Sequence, residues 1–237
     1  MAQYDMTPDR AFTTPYAADE RVTAFLRSVY GWMCAGLGIT ALVAFMVTQS
    51  PALVVTIARN PLLYGGLMIA QLGIVFFLSA RVNRIAAGTA SLLFVLYSAL
   101  TGVTFGIILL AFTGESVATT FLVCAGMFGA LAVYGTTTSR SLAGWGQFLF
   151  MGLIGVVLAS FVGMFWHNDG FQFVLSFIGV IVFTGLTAYD AQRLKHMALA
   201  MPSGQIGSYA IVGALTLYLD FINLFIMLLR LTGSRRD

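Results

Sequence analysis

Seven long apolar stretches alternate with short polar breaks along the 237 residues of the chain. They fall at about 24–48, 61–80, 86–112, 117–135, 146–166, 171–194 and 206–231. An α-helix needs about 20 apolar residues to cross a hydrocarbon core roughly 30 Å thick. The stretches are continuous and do not alternate over ten-residue segments, so helices are predicted over a β-barrel. The expected fold class is an all-α membrane protein with seven transmembrane helices. Residues 1–22 (MAQYDMTPDRAFTTPYAADERV) are polar and read as a mobile tail. No basic stretch there leads directly into a short apolar core, as it does in a cleaved signal peptide. Residues 23–237 then form a single membrane domain. PALVVTIARNP, bounded by Pro51 and Pro61, is too short to span and is expected to connect two spans or lie at the interface.

Small residues mark two faces for close packing. In the first span these are Gly31, Ala35, Gly36 and Gly38. In the third, Ser98, Gly102 and Gly106 recur every four residues, a spacing that lets another backbone approach. The hydroxyls of Thr101 and Thr104 need partners, either a carbonyl of their own helix or a group on a neighbouring one.

Composition agrees with this reading. The chain is 59% hydrophobic and only 9% charged, with a mean hydropathy of +0.91, whereas a soluble domain is about a quarter charged. The net charge of +3 comes from twelve Lys and Arg scattered singly, which is no nucleic-acid footprint. Cys34 and Cys124 lie inside apolar stretches and read as packing residues, and His167 and His196 read as solvated loop residues. Basic residues set orientation. With the N-terminus inside, Arg10, Arg21, Arg27, Arg81, Arg84, Arg140, Arg193 and Lys195 are inner, and Arg59, Arg230, Arg235 and Arg236 are outer. That balance favours a cytoplasmic N-terminus. The three arginines near the C-terminus leave two options: the end lies outside, or the seventh segment is re-entrant.

The chemistry is concentrated in two acids. Of nine carboxylates, seven lie in the first twenty residues, between apolar stretches or at the C-terminus. Asp190 and Asp220 sit inside the sixth and seventh stretches. A charge at a membrane helix centre costs roughly 2.5–3.5 kcal/mol on insertion scales and marks a functional site. On the seventh helix, Gly213, Thr216, Asp220 and Asn223 make one stripe that should face the bundle interior. On the sixth, Thr184, Thr187 and Asp190 make another, with Arg193 one turn on. Asp190 lies near the end of its stretch and Asp220 about 20 Å into its own, so for the two to meet the seventh helix must start deep, tilt or break. If they meet, both cannot cheaply be ionised, and they can share a proton and titrate as a unit. Ionisation of both calls for separation, a cation or a basic residue. Arg84 and Arg81, at the inner end of the second span, are candidates to lock one carboxylate, and a hard cation such as calcium suits oxygen ligands. Asp190 paired only with Arg193, as an end-of-helix pair, is the plainer alternative.

TAYDAQRLK (187–195) and GALTLYLDFINLFIMLLR (213–230) resemble the paired signature of the Bax-inhibitor family, in its bacterial branch. LYSALTGVTFG (96–106), AGMFGALAVYG (125–135) and GVIVFTGLTAYD (179–190) extend the likeness over about 20–232. The resemblance implies six helices around a central seventh, in the bacterial inner membrane. It implies a calcium leak gated by pH through an aspartate pair, which falls on Asp190 and Asp220. A second-helix arginine latches the closed form, most naturally Arg84, with Arg81 the alternative. Calcium selectivity comes from the resemblance alone, with calcium a permeant or bound ion and no cofactor expected.

Two other functions compete. Intramembrane aspartyl proteases also carry an aspartate on each of two consecutive helices, and Tyr189-Asp190 matches their first motif. Their second motif surrounds the aspartate with glycines that expose backbone to substrate, whereas Asp220 lies in LYLDFIN, so no enzyme is expected. The other is a membrane stress protein that regulates a membrane protein, such as a protease, without conducting ions, with the tail 1–22 as a contact.

Overall fold

A computed structural model describes residues 15–166, 168–200 and 206–236. The described residues form eight helices: α1 Pro15–Thr48, α2 Pro51–Ala58, α3 Pro61–Arg81, α4 Ala87–Leu109, α5 Gly114–Thr137, α6 Ala143–Phe165, α7 Asp169–Ala200 and α8 Ile206–Thr232. All but α2 are long and apolar enough to span a membrane. Proline opens α1, α2 and α3, where its missing N–H costs nothing. Asn60 caps α3 by accepting from the Leu62 and Leu63 amides, at 3.2 Å each. With eight residues, about 12 Å, α2 turns the chain between two spans and cannot cross.

Two boundaries differ from those the sequence predicts. Residues 15–22 are not tail but the first turns of α1, because YAADERV is made mostly of good helix formers behind a proline. The remaining tail residues, 1–14, fall outside the described part. The sixth span does not stop near 194 but continues to Ala200, which puts His196 on an exposed helix face instead of in a loop. His167 lies outside the described residues.

α1 and α4 run parallel and close. A Cβ at Gly102 would stand 2.7 Å from Val43 Cβ and 2.8 Å from Thr40 O, and one at Gly106 would stand 2.7 Å from Val47 Cβ. The small face of the third span therefore packs as its spacing predicts. Only part of the α1 set is used this way: Gly36 meets Phe94, while Gly31 and Gly38 face open space.

α8 is the most buried helix, with core residues on nearly every face. It packs against α1, α3, α4, α5 and α7, while α6 lies against α7. Its two ends settle the re-entrant question. Near its start, the Tyr209 hydroxyl donates to Asn83 Oδ1 in the turn before α4. Past its end, Thr113 N donates to Ser234 O at 3.0 Å and Arg236 N to Ala111 O at 3.0 Å, in the loop after α4. α8 thus runs the full length of α4, about 40 Å for 27 residues. It crosses completely.

Candidate functional site

α7 and α8 are antiparallel, with Gly179 against Met227 and Gly213 against Leu194. Because α7 continues for ten residues past Asp190, about 15 Å, the aspartate is well inside its helix. Asp220, fourteen residues into α8, comes to a similar depth on an unbroken helix. No deep start or break is required. Both aspartates are buried, at 7% and 5% exposed, and they lie close enough across the α7–α8 seam for their carboxyl groups to interact.

The two carboxylates have unequal surroundings. Asp190 Oδ1 lies 3.8 Å from Arg193 Nη1, one turn on along α7, and the Arg193 side chain is 60% exposed. The end-of-helix pair and the aspartate pair therefore coexist. Asp220 has no cation beside it, and its buried Oδ2 has no hydrogen-bond partner among the described residues. Thr187, Thr216 and Asn223 turn their polar groups back onto their own helices, at Phe183 O (2.8 Å), Val212 O (3.1 Å) and Leu219 O (2.8 Å). Thr184 Oγ1 is buried and, like Asp220 Oδ2, without a partner there.

Arg81 and Arg84 are exposed near the turn between α3 and α4. Arg81 lies over the Phe77 ring at 5.8 Å, and neither arginine forms an ion pair among the described residues. The structure brings Asp190, Asp220 and Arg193 together and leaves these two apart.

The pair is closed in on both sides. Toward the C-terminal end of α8, Phe221 and Phe225 join Phe121, Phe128 and Phe105, with ring centroids 5.5–6.3 Å apart. Beyond Asp190, α7 clamps the end of α5 and the α5–α6 loop: Gln192 donates to Arg140 O at 2.9 Å and accepts from Leu142 N at 2.8 Å, and Lys195 Nζ donates to Thr136 O at 2.7 Å.

A second polar cluster is only partly legible in the sequence, which marks Thr101 and Thr104 as needing partners but not which residues meet them. Thr40 Oγ1 donates to Ser98 O at 2.9 Å and lies 2.6 Å from the Tyr218 hydroxyl. Gln71 donates to Thr104 Oγ1 at 2.8 Å and accepts from Thr101 at 3.4 Å. Gln71, an amide inside an apolar stretch, was the visible signal. Tyr218 counts as apolar and gave none.

Two neighbouring carboxylates, one with a buried oxygen that lacks a hydrogen-bond partner among the described residues, can share a proton or accept a hard cation. Calcium takes 6–8 oxygens. Among the described residues, no group of three or more acids, histidines or cysteines is placed to hold a metal.

Comparison with known proteins places the chain in a family. The family described as "Inhibitor of apoptosis-promoting Bax1" matches residues 22–237. The chain belongs to the Bax inhibitor-1 family. It is 49% identical over 215 residues to the inner membrane protein YbhL of Escherichia coli K12, covering 90% of this chain and 92% of that protein. It is 42% identical to uncharacterized proteins of Borreliella burgdorferi (90% and 93% covered) and Deinococcus radiodurans (91% and 93% covered). This is a membrane protein of that family, embedded in the bilayer, and the seven described helices able to span lie almost wholly within the matched region.

Proposed function

We propose that this Bax inhibitor-1 family protein is a pH-sensitive calcium (cation) leak channel of the bacterial inner membrane, gated by Asp190 and Asp220. The observation that carries the reading is the buried carboxylate pair across the α7–α8 seam, with Asp220 Oδ2 left without a partner. Buried polar atoms are normally satisfied, so one unpaired in the least accessible helix marks a place kept for a proton or a cation. With one proton between them the carboxyls hold the seam together. With none, repulsion in a medium of low dielectric drives the helices apart or draws in a cation. The aromatic cluster on the outer side acts as the apolar constriction that stops ions in the closed form. Leu219 and Phe221 flank Asp220 and block the close backbone approach that proteolysis requires, so the reading is non-catalytic.

Arg81, Arg84, Arg140, Arg193 and Lys195 gather at the end of the bundle opposite the C-terminus. The positive-inside rule makes that end cytoplasmic, together with the start of α1. The latch expected of Arg84, or of Arg81, competes with Arg193, which already stands beside Asp190.

The test is calcium entry into liposomes holding the purified protein, from pH 6 to pH 8. Flux whose pH dependence vanishes in Asp190→Asn/Asp220→Asn supports the gate. Arg84→Gln, Arg81→Gln and Arg193→Gln then show which arginine holds it shut. No flux above empty liposomes at any pH overturns conduction.

A further inference from the structure

An apolar groove of about 400 Å³ opens sideways between α1 and α5. Tyr30 and Leu37 stand on one wall, Ala125 and Gly129 on the other, and Phe221 of α8 forms the floor. α1 runs parallel to α8 (Val29 with Gly213, Thr40 with Tyr218), and α5 runs against it (Phe121 with Phe225, Phe128 with Phe221). The walls are therefore antiparallel, with Tyr30 and Thr136 at one end and Leu37 and Phe121 at the other. Both walls are spanning helices, so the groove opens into hydrocarbon.

The Tyr30–Thr136 end carries charge. Lys195 of α7 donates its ammonium to Thr136 O at 2.7 Å. Lys195 is half-buried and has no carboxylate partner among the described residues, where the ion pair is Arg193–Asp190. Arg27, exposed, lies less than one turn before Tyr30 on the other wall. An apolar slot with cations at its mouth matches an acyl chain joined to an anionic headgroup. A partner helix fits less well: at about 10 Å across, it fills this volume with roughly one turn, whereas an acyl chain lies along it.

We propose that the α1–α5 groove binds an acyl chain of an anionic phospholipid, with Lys195 at its mouth meeting the lipid phosphate. Gly129 offers a clean way to test this. It lines the groove, and a Cβ built there meets nothing within 4 Å, so a larger side chain enters the groove and not the protein's packing.

The experiment uses the full chain in phosphatidylcholine vesicles doped with phosphatidylglycerol carrying a photoreactive diazirine on one acyl chain. Cross-linked peptides are mapped by mass spectrometry. The expected result is labelling concentrated on α1 and α5 peptides. Unlabelled phosphatidylglycerol should compete it away, and excess phosphatidylcholine should not. Gly129→Leu should abolish that labelling. Lys195→Gln should lower the preference for the anionic lipid about fivefold. Labelling spread as densely over the outer faces of α3 and α6, or competed equally by both lipids, overturns the proposal. So does a cross-link joining two copies of the chain through the groove. Competition on the wild type needs no variant, so the proposal stays open to refutation if Gly129→Leu fails to fold. Calcium flux plays no part in the readout, so the result is independent of the leak reading.

Discussion

The Tyr218 hydroxyl lies 2.6 Å from Thr40 Oγ1, and Thr40 spends its one hydrogen on Ser98 O at 2.9 Å. Tyr218 is therefore the donor, and a single chain of bonds ties α8 to α1 and α4. Tyr218→Phe removes one link and leaves Thr40 with its other bond, so the cost is about 0.6–1 kcal/mol. Tyr218→Ala also loses edge-on contacts to Phe94 at 5.7 Å and Tyr97 at 5.8 Å, and should cost about 3–5 kcal/mol. Thermal unfolding in detergent should rank the two variants in that order.

Asp220→Asn keeps the shape of the buried side chain and removes its charge. The variant is expected to unfold no earlier than wild type, because repulsion with Asp190 is gone. Calcium flux through it should show no dependence on pH. A flux profile that keeps its pH dependence would mean that the sensor lies elsewhere.

Protons and calcium compete for the same carboxylate oxygens. Binding of a divalent cation at the pair must release whatever proton the pair holds, so the apparent affinity for calcium rises with pH and falls in acid. Calcium titrations of the reconstituted protein at several pH values should show this sign, and Asp190→Asn/Asp220→Asn should flatten it.

Phe225 meets Phe105 and Phe121 on the C-terminal side of the pair along α8. Phe225→Ala opens that aromatic layer and should raise resting flux severalfold, at a stability cost of about 3–5 kcal/mol. Liposome flux and thermal unfolding measure the two effects separately.

Glycines 129 and 135 stand on the same helix in opposite situations. A Cβ at Gly135 would collide with the Ala188 carbonyl oxygen of α7, while one at Gly129 meets open space. Gly135→Ala should cost several kcal/mol or prevent folding, as forced overpacking does. Gly129→Ala should gain about 0.5–1 kcal/mol from helix propensity alone. Comparing folded yield and melting of the two isolates packing from propensity.

The seven spans were legible because hydrocarbon imposes one strong rule, about twenty apolar residues in a row. The aspartates were legible for the converse reason: a charge in such a stretch must have a purpose. What the sequence hid was depth. QRLKHMALA reads as a polar exit from the membrane, yet Gln192 and Lys195 bind the α5–α6 side of the bundle and the helix runs on to Ala200. That extension is what lets Asp190 meet Asp220 without a break in α8. The neighbourhood of Arg193 was visible in the spacing, whereas the Tyr218–Thr40 bond joins residues 178 apart and has no local signature.

The pinned C-terminal segment has a bearing on how the chain can be extended. Residues 233–236 fold onto the loop after α4, while α1 begins at the other end of the bundle. Two copies fused head to tail would therefore sit upside down relative to each other, unless one more crossing helix were inserted between them. A linked dimer of like orientation needs an even number of crossings, which the described helices, seven of them long and apolar enough to span, do not supply.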